Sequence, residues 1–225
     1  MAQNDELIKE ELEKVENVLT TTEAFIEKYQ KQLLIGIGSI VLVVLIAISF
    51  NNFYLQPREV SAQNEMYKSQ SAFAADSFKV ALEGNGVESI GFKEIASSYS
   101  YTSSGNLANA YAGICYYKMG QFEDAAEYLN KYDGKDNYFA TSVKGLLGDC
   151  YVELGDTSKA VSYFEKAADK KNEILSPVYL KKAALVYESQ KDFEKAEKNY
   201  TIIKEKYPKS SEAVDIDKYI ARVQK

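Results

Sequence analysis

The feature that most constrains this chain is a pattern that returns every 35 or 36 residues. Ala112-Gly113-x-x-Tyr116 is followed by Gly120-x-Phe122-x-x-Ala125 and Leu129. Leu147-Gly148-x-x-Tyr151 is followed by Gly155-x-Thr157-x-x-Ala160, Phe164 and Ala167, and Ala183-Ala184-x-x-Tyr187 by Phe193-x-x-Ala196, Tyr200, Ile203 and Pro208. Within each stretch the apolar residues fall at helical spacing, so each unit reads as a pair of helices joined by a tight turn. Gly113, Gly148 and Ala184 let the second helix of a pair approach the first. Gly120 and Gly155 can end the first helix in the left-handed conformation that glycine adopts cheaply. Ala125, Ala160 and Ala196 mark the crossing of the two helices, and Tyr116, Tyr151, Tyr187, Leu129, Phe164 and Tyr200 fill the space around it. One such pair cannot bury its apolar face alone, so at least three must stack.

Upstream, Tyr67, Ala74, Phe78 and Leu82 form an apolar stripe that the Gly84-Asn85-Gly86 turn is expected to end, and Phe92-x-x-Ile95-x-x-x-Tyr99 reads as a second helix. Residues 56–105 are therefore expected to be a degenerate first repeat, followed by three regular ones over 106–208. Ala213, Ile216, Ile220 and Val223 line one face of a closing helix over 209–225, whose charged opposite face suits a solubilising cap. The three regular units resemble tetratricopeptide repeats. The family's first-helix tryptophan is absent, with Asn109, Lys144 and Leu180 in its place, and Thr157 replaces an expected aromatic.

A second constraint lies at Leu33 to Phe50, LLIGIGSIVLVVLIAISF, which no charge interrupts. Eighteen residues of helix span roughly 27 Å, close to the hydrocarbon thickness of a bilayer. With Phe53 and Tyr54 on one side and Tyr29 on the other as interfacial aromatics, residues 33–55 are expected to be a transmembrane anchor, and Pro57 to break its helix. The apolar core and the acidic region before it are both too long for a cleaved signal peptide. Lys28 and Lys31 precede the span and Arg58 follows it, which places the N-terminus in the cytoplasm by the positive-inside rule.

Residues 1–32 form a lead into the span. Ile8, Leu12, Val15, Leu19, Thr22, Ile26, Tyr29 and Leu33 keep a 4-3-4-3 spacing, and Thr20 with Glu23 makes a capping box that divides the segment. The lead reads either as a solvated amphipathic helix or as a homodimer contact. The architecture expected overall is all-α: one N-terminal transmembrane helix, a tetratricopeptide-like α-solenoid of about four helix pairs, and a C-terminal capping helix.

Composition narrows the function. The net charge is −6, the opposite of the basic field that phosphate backbones require, so nucleic acid is not an expected partner. The chain has no histidine, which removes the commonest general base and metal ligand together. Cys115 and Cys150 share one repeat position, where the third unit has Val186, and read as small core residues. Gly84 to Gly91 lacks the spacing of a nucleotide loop. Glu123, Asp124 and Glu127 read as solvated helix surface, and Asn199-Tyr200-Thr201 as a chance sequon inside a packed helix. No reactive constellation, cofactor site or metal site is expected, and the chain is not expected to be an enzyme.

Binding is implied by the resemblance. In the repeat family the first helices line a concave surface that grips protein segments at four positions per repeat. Transferred to this numbering, the contacts include Ala110, Ile114 and Tyr117, then Gly145, Asp149 and Val152, then Lys181, Leu185 and Glu188. Ile114, Asp149 and Leu185 stand where a carboxylate clamp for chaperone termini would need asparagine, so that clamp is absent. The mixed apolar and aromatic surface suits an extended or helical segment. The layout also resembles the YfgM-like ancillary subunit of the SecYEG translocon, through Glu23-Ala-Phe-Ile-Glu-Lys28, one span, Ala110-Tyr-Ala-Gly-Ile-Cys-Tyr-Tyr117 and Tyr207-Pro-Lys-Ser-Ser-Glu-Ala213. That resemblance implies a single-pass bacterial inner-membrane protein with a periplasmic repeat domain, meeting translocon subunits, emerging polypeptides or envelope chaperones. The alternative is a scaffold of another envelope complex, for outer-membrane assembly or cell division.

Overall fold

The computed structural model describes residues 28–86, 88–168 and 172–224. The heptad and the Thr20 capping box expected before Lys28 lie outside the described residues. The chain divides into two compact units, Met1–Gln56 and Pro57–Lys225.

In the first unit, α1 occupies residues 28–50 and passes into a π-helical segment, Asn51–Leu55. Every residue from 33 to 50 is exposed. The hydroxyl of Ser39, a polar group inside the apolar run, donates to the Gly36 carbonyl at 2.8 Å, so the helix satisfies it internally. By length and composition this helix is able to cross a membrane. Pro57 does not break it: the helix covers Lys28–Ala74. The Gln56 N–H donates to the Asn51 carbonyl, five residues back. Widening to that register just before Pro57 gives room to a ring that would otherwise collide with the carbonyl four residues earlier.

The second unit begins with α2, Gln56–Ala74, and continues with α3, Phe78–Glu83, α4, Phe92–Ser98, α5, Ser103–Lys118, and α6, Phe122–Lys131. After these come α7, Phe139–Glu153, α8, Thr157–Ala168, α9, Leu175–Ser189, α10, Phe193–Lys206, and, past a 3-10 turn at Ser211–Ala213, α11, Ile216–Val223. The pairs α5/α6, α7/α8 and α9/α10 are the three units of the repeat. Their crossing alanines, Ala125, Ala160 and Ala196, are all fully buried. Above them the second-helix residues press into the place a first-helix side chain would take. A Cβ on Gly113 would stand 2.5 Å from Leu129 Cγ, and one on Gly148 would stand 2.4 Å from Phe164 Cε1.

The turns repeat as closely as the crossings. Gly120 and Gly155 have φ +75° and +74°, and the third unit puts Lys191 at the same place with φ +61°. Each N–H donates three residues back, to Tyr117, Val152 and Glu188. A left-handed lysine is strained by its Cβ by roughly 1 kcal/mol or more. The Lys191→Gly variant is therefore expected to gain about 0.5–1 kcal/mol, after allowing for the freer unfolded chain. Thermal unfolding should show this as a rise of about 2 °C; an unchanged midpoint would contradict the strain.

Asp76 carries the same signature, with φ +54° and its N–H donating to the Phe73 carbonyl at 3.0 Å. The first hairpin is therefore α2/α3, and two expectations are corrected. The first helix ends at Ala74 rather than at Gly84, and the second begins at Phe78 rather than Phe92. In this register Ala81, fully buried, matches Ala125, and Ser69, also fully buried, matches Gly113. The loop from Gly84 to Gly91 then interrupts the second helix, and α4 resumes it. Phe73 makes ring contacts with Phe78, Phe92 and Tyr111, which closes α2, α3, α4 and α5 around one cluster. α2 is anchored to its neighbours through Arg58, which donates to the Ser98 carbonyl, and Glu59, which accepts from the Ser104 hydroxyl at 2.6 Å.

Side-chain caps start several helices: Thr102 accepts from Gly105 N–H at 2.9 Å, Asp156 from Lys159 N–H at 3.0 Å and Asp192 from Lys195 N–H at 3.2 Å. Polar staples tie each repeat to the next. Tyr163 donates to Asn130 at 2.7 Å and Tyr187 to Glu165 at 2.9 Å. Asn172 donates to the Asn137 carbonyl at 2.8 Å while its side-chain oxygen accepts from the N–H groups of Ile174 and Leu175. The apolar core itself falls into two clusters. One runs from Met66 to Cys150 and the other from Ala160 to Val223, with Tyr151 packed against both.

Candidate protein-binding surface

The first helices of successive repeats lie side by side. Phe73 of α2 meets Tyr111 of α5 with ring centroids 5.3 Å apart. Between α7 and α9, Lys182 Nζ sits 2.7 Å from Asp149 Oδ2. Between α9 and α11, Arg222 reaches Glu188 at 2.8 Å and Lys181 Nζ lies 4.5 Å from the centre of the Tyr219 ring. α11 therefore stands where the first helix of a further repeat would stand, with Ile216 and Val223 buried and Ile220 packed against the C-terminal cluster.

The nine residues carried over from the repeat family separate into three groups on this row. Ile114 and Tyr117 on α5, Val152 on α7 and Leu185 on α9 keep accessible apolar surface, with Val152 42% and Leu185 43% exposed. Tyr117 is braced by Phe122 at 5.5 Å between ring centres, and burial together with the nearby Asp149 carboxylate pushes its phenol up. Asp149 lies partly exposed among them, held by Lys182. Ala110 and Gly145 are buried and offer nothing to a ligand. Gly145 is filled from α9, because a Cβ there would stand 2.0 Å from Tyr179 Cε1. Lys181 and Glu188 are engaged by α11. Glu188 accepts from Tyr200 at 2.6 Å as well as from Arg222, and burial followed by the Glu188 carboxylate raises the Tyr200 phenol above its ordinary value.

What remains is a strip of modest apolar patches crossing three first helices, with one ion pair between the second and third. Cys115 and Cys150 are buried free thiols, each pushed up to about 12, chiefly by desolvation. Such thiols are inert core residues. Asn199 is buried within α10, away from any modifying enzyme. A depression of about 590 Å³ lies elsewhere, between Glu173–Ile174 and the turn from Lys206 to Glu212.

Models of the tetratricopeptide repeat match residues 111–133, 142–169 and 180–210. These segments fall on the three helix pairs that carry the strip. Among solved structures the chain is similar to MamA, at 17% identity and a TM-score of 0.53, over 72% of this chain and 76% of that one. It is similar also to a putative kinesin light chain of Podosopora anserina with nearly identical TPR-like repeats, at 11% identity and a TM-score of 0.54, over 72% and 84%. No curated protein matches the sequence. At these identities the structural likeness speaks for the fold alone. The fold is a tetratricopeptide-like α-solenoid preceded by one long apolar helix. Repeats of this kind typically serve as non-catalytic scaffolds for protein–protein interaction.

Proposed function

We propose that this chain is a membrane-anchored interaction scaffold that binds extended or helical protein segments along the first-helix strip of its repeats. The observation that carries the reading is the run of apolar side chains, half-buried at Ile114 and Tyr117 and exposed at Val152 and Leu185, on first helices that neighbouring repeats place side by side. Each patch is small, so a segment must lie across several repeats to bury enough area for useful affinity. The Asp149–Lys182 pair gives it a polar register point. The anchor is residues 33–55, in a helix long and apolar enough to span a bilayer.

The order of anchor and repeats supports a more specific role, that of an ancillary translocon subunit in a bacterial inner membrane. The repeat domain is then periplasmic and receives emerging polypeptides or envelope chaperones. A photo-crosslinking residue at Tyr117 in living cells, with mass spectrometry of the captured species, tests each level. Translocon subunits or newly exported chains are the expected catch. A single assembly or division component would move the scaffold to another envelope complex, and cytosolic proteins would overturn the orientation.

A further inference from the structure

The loops that join one repeat to the next gather at one edge of the second unit. The first turn of α2 reaches the end of α4 and the start of α5, through Arg58 on the Ser98 carbonyl and Glu59 on Ser104. Asn106, near the start of α5, exchanges two hydrogen bonds of 2.9 Å with the Asp133 backbone in the α6–α7 loop. Asn172, before α9, holds the Asn137 carbonyl before α7. The depression of about 590 Å³ then joins the Ile174 turn to the one that precedes α11. Each loop on this edge exposes one large apolar side chain: Tyr101 by 80%, Tyr138 by 62%, Ile174 by 65% and Val214 by 81%. They stand just before α5, α7, α9 and α11. Tyr67 apart, they are the most exposed large apolar residues described in this unit. Scattered singly, such residues need no explanation; one per loop along one edge, they form a surface.

We infer that this edge seats on a lipid bilayer, with the four side chains in its headgroup layer. The inference rests on the membrane reading proposed above. α2 starts at this same edge, and only Gln56 separates Pro57 from the π segment that ends at Leu55. The chain therefore leaves the second unit towards its apolar helix at the edge that carries the four side chains. That covalent link supplies proximity, which makes up for the small area of four residues. The seat itself comes from the side chains. Tyrosine suits a headgroup layer, because its ring is apolar and its hydroxyl can stay wet. Charge contributes little: Lys206 and Lys209 share the depression with Glu173 and Glu212, and Lys135 falls between Asp133 and Asp136. The contact is thus apolar and insensitive to salt.

The test uses the full chain in phosphatidylcholine vesicles, with a fluorophore on single cysteines and a nitroxide quencher on the lipid headgroup. Cys115 and Cys150 are buried and stay unlabelled. Tyr101→Cys, Tyr138→Cys and Val214→Cys are expected to be quenched about threefold more than Gln121→Cys, equally at low and high salt. Gln121 is exposed in the turn at the other end of α5, about 24 Å along the helix. Val214, on the loop furthest along the row from α2, separates a seated edge from mere closeness to the link. Ile174→Glu, at an exposed position, is expected to reduce the quenching at Tyr138→Cys about twofold. Vesicle-bound protein with no stronger quenching at the edge than at Gln121→Cys would overturn the seat and leave the anchor standing. Quenching at Tyr138→Cys that Ile174→Glu does not move would do the same. A chain that fails to float with the vesicles would overturn both. Edge cysteines shielded in native membranes yet unquenched in the vesicles would give the edge to a protein partner instead.

Discussion

Phe164→Ala is expected to remove about 3–5 kcal/mol of stability, enough to lower the unfolding midpoint by roughly 10 °C. Phe164 is 1% exposed and joins three helices: it fills the missing side chain of Gly148 on α7, belongs to α8, and stacks on Tyr179 of α9 with ring planes 12° apart. Lys182 Nζ lies 5.7 Å from the centre of its ring. Truncation leaves a void whose walls are helix backbone on one side and Tyr179 on the other, neither free to collapse. Denaturant unfolding followed by circular dichroism measures the loss. A change below about 1 kcal/mol would mean that the repeats close over the gap, and that the α7–α8 crossing is looser than the contacts imply.

Gly105→Ala should be nearly as damaging, and its sign is diagnostic. In an ordinary helix this exchange stabilises by about 0.5–1 kcal/mol. Here the new methyl would stand 1.9 Å from the carbonyl oxygen of Tyr99 and 2.5 Å from its carbon. That carbonyl is fixed, because it accepts from both the N–H and the hydroxyl of Thr102, at 2.9 and 2.7 Å, while Thr102 caps Gly105 itself. Backbone cannot rotate aside as a side chain can. The variant is expected to lose about 3 kcal/mol by the same unfolding measurement, and any gain in stability would show that the α4–α5 corner yields.

The three regular repeats were legible because their crossings demand small residues at fixed intervals, and Ala125, Ala160 and Ala196 supply them. The first hairpin was not legible. Its turn residue is Asp76, which reaches the left-handed region through a tolerant side chain rather than as glycine. Its close-approach residue is Ser69, and the loop after Gly84 stretches the turn-to-turn interval to Gly120. Each substitution is physically adequate, yet together they erase the period. Pro57 misled because proline normally ends a helix, whereas a π segment just before it absorbs the ring. Of the nine residues carried over from the repeat family, Val152 and Leu185 are exposed and Ile114 and Tyr117 half-buried. Spacing could not show that Tyr179 fills the space beside Gly145, or that α11 engages Lys181 and Glu188. Both facts depend on which neighbour arrives from a distant part of the chain.

The division of the core into two clusters bears on how a bound segment is felt. The clusters meet where α7 passes to α8, and Tyr151 touches both. Tyr117 and Val152 belong to the helices of the first cluster, Leu185 to the second. A segment lying on all three, as proposed, would bridge the two clusters from outside, where the Gly148–Phe164 crossing already joins them within. A shorter segment, confined to either side, would touch the helices of one cluster alone.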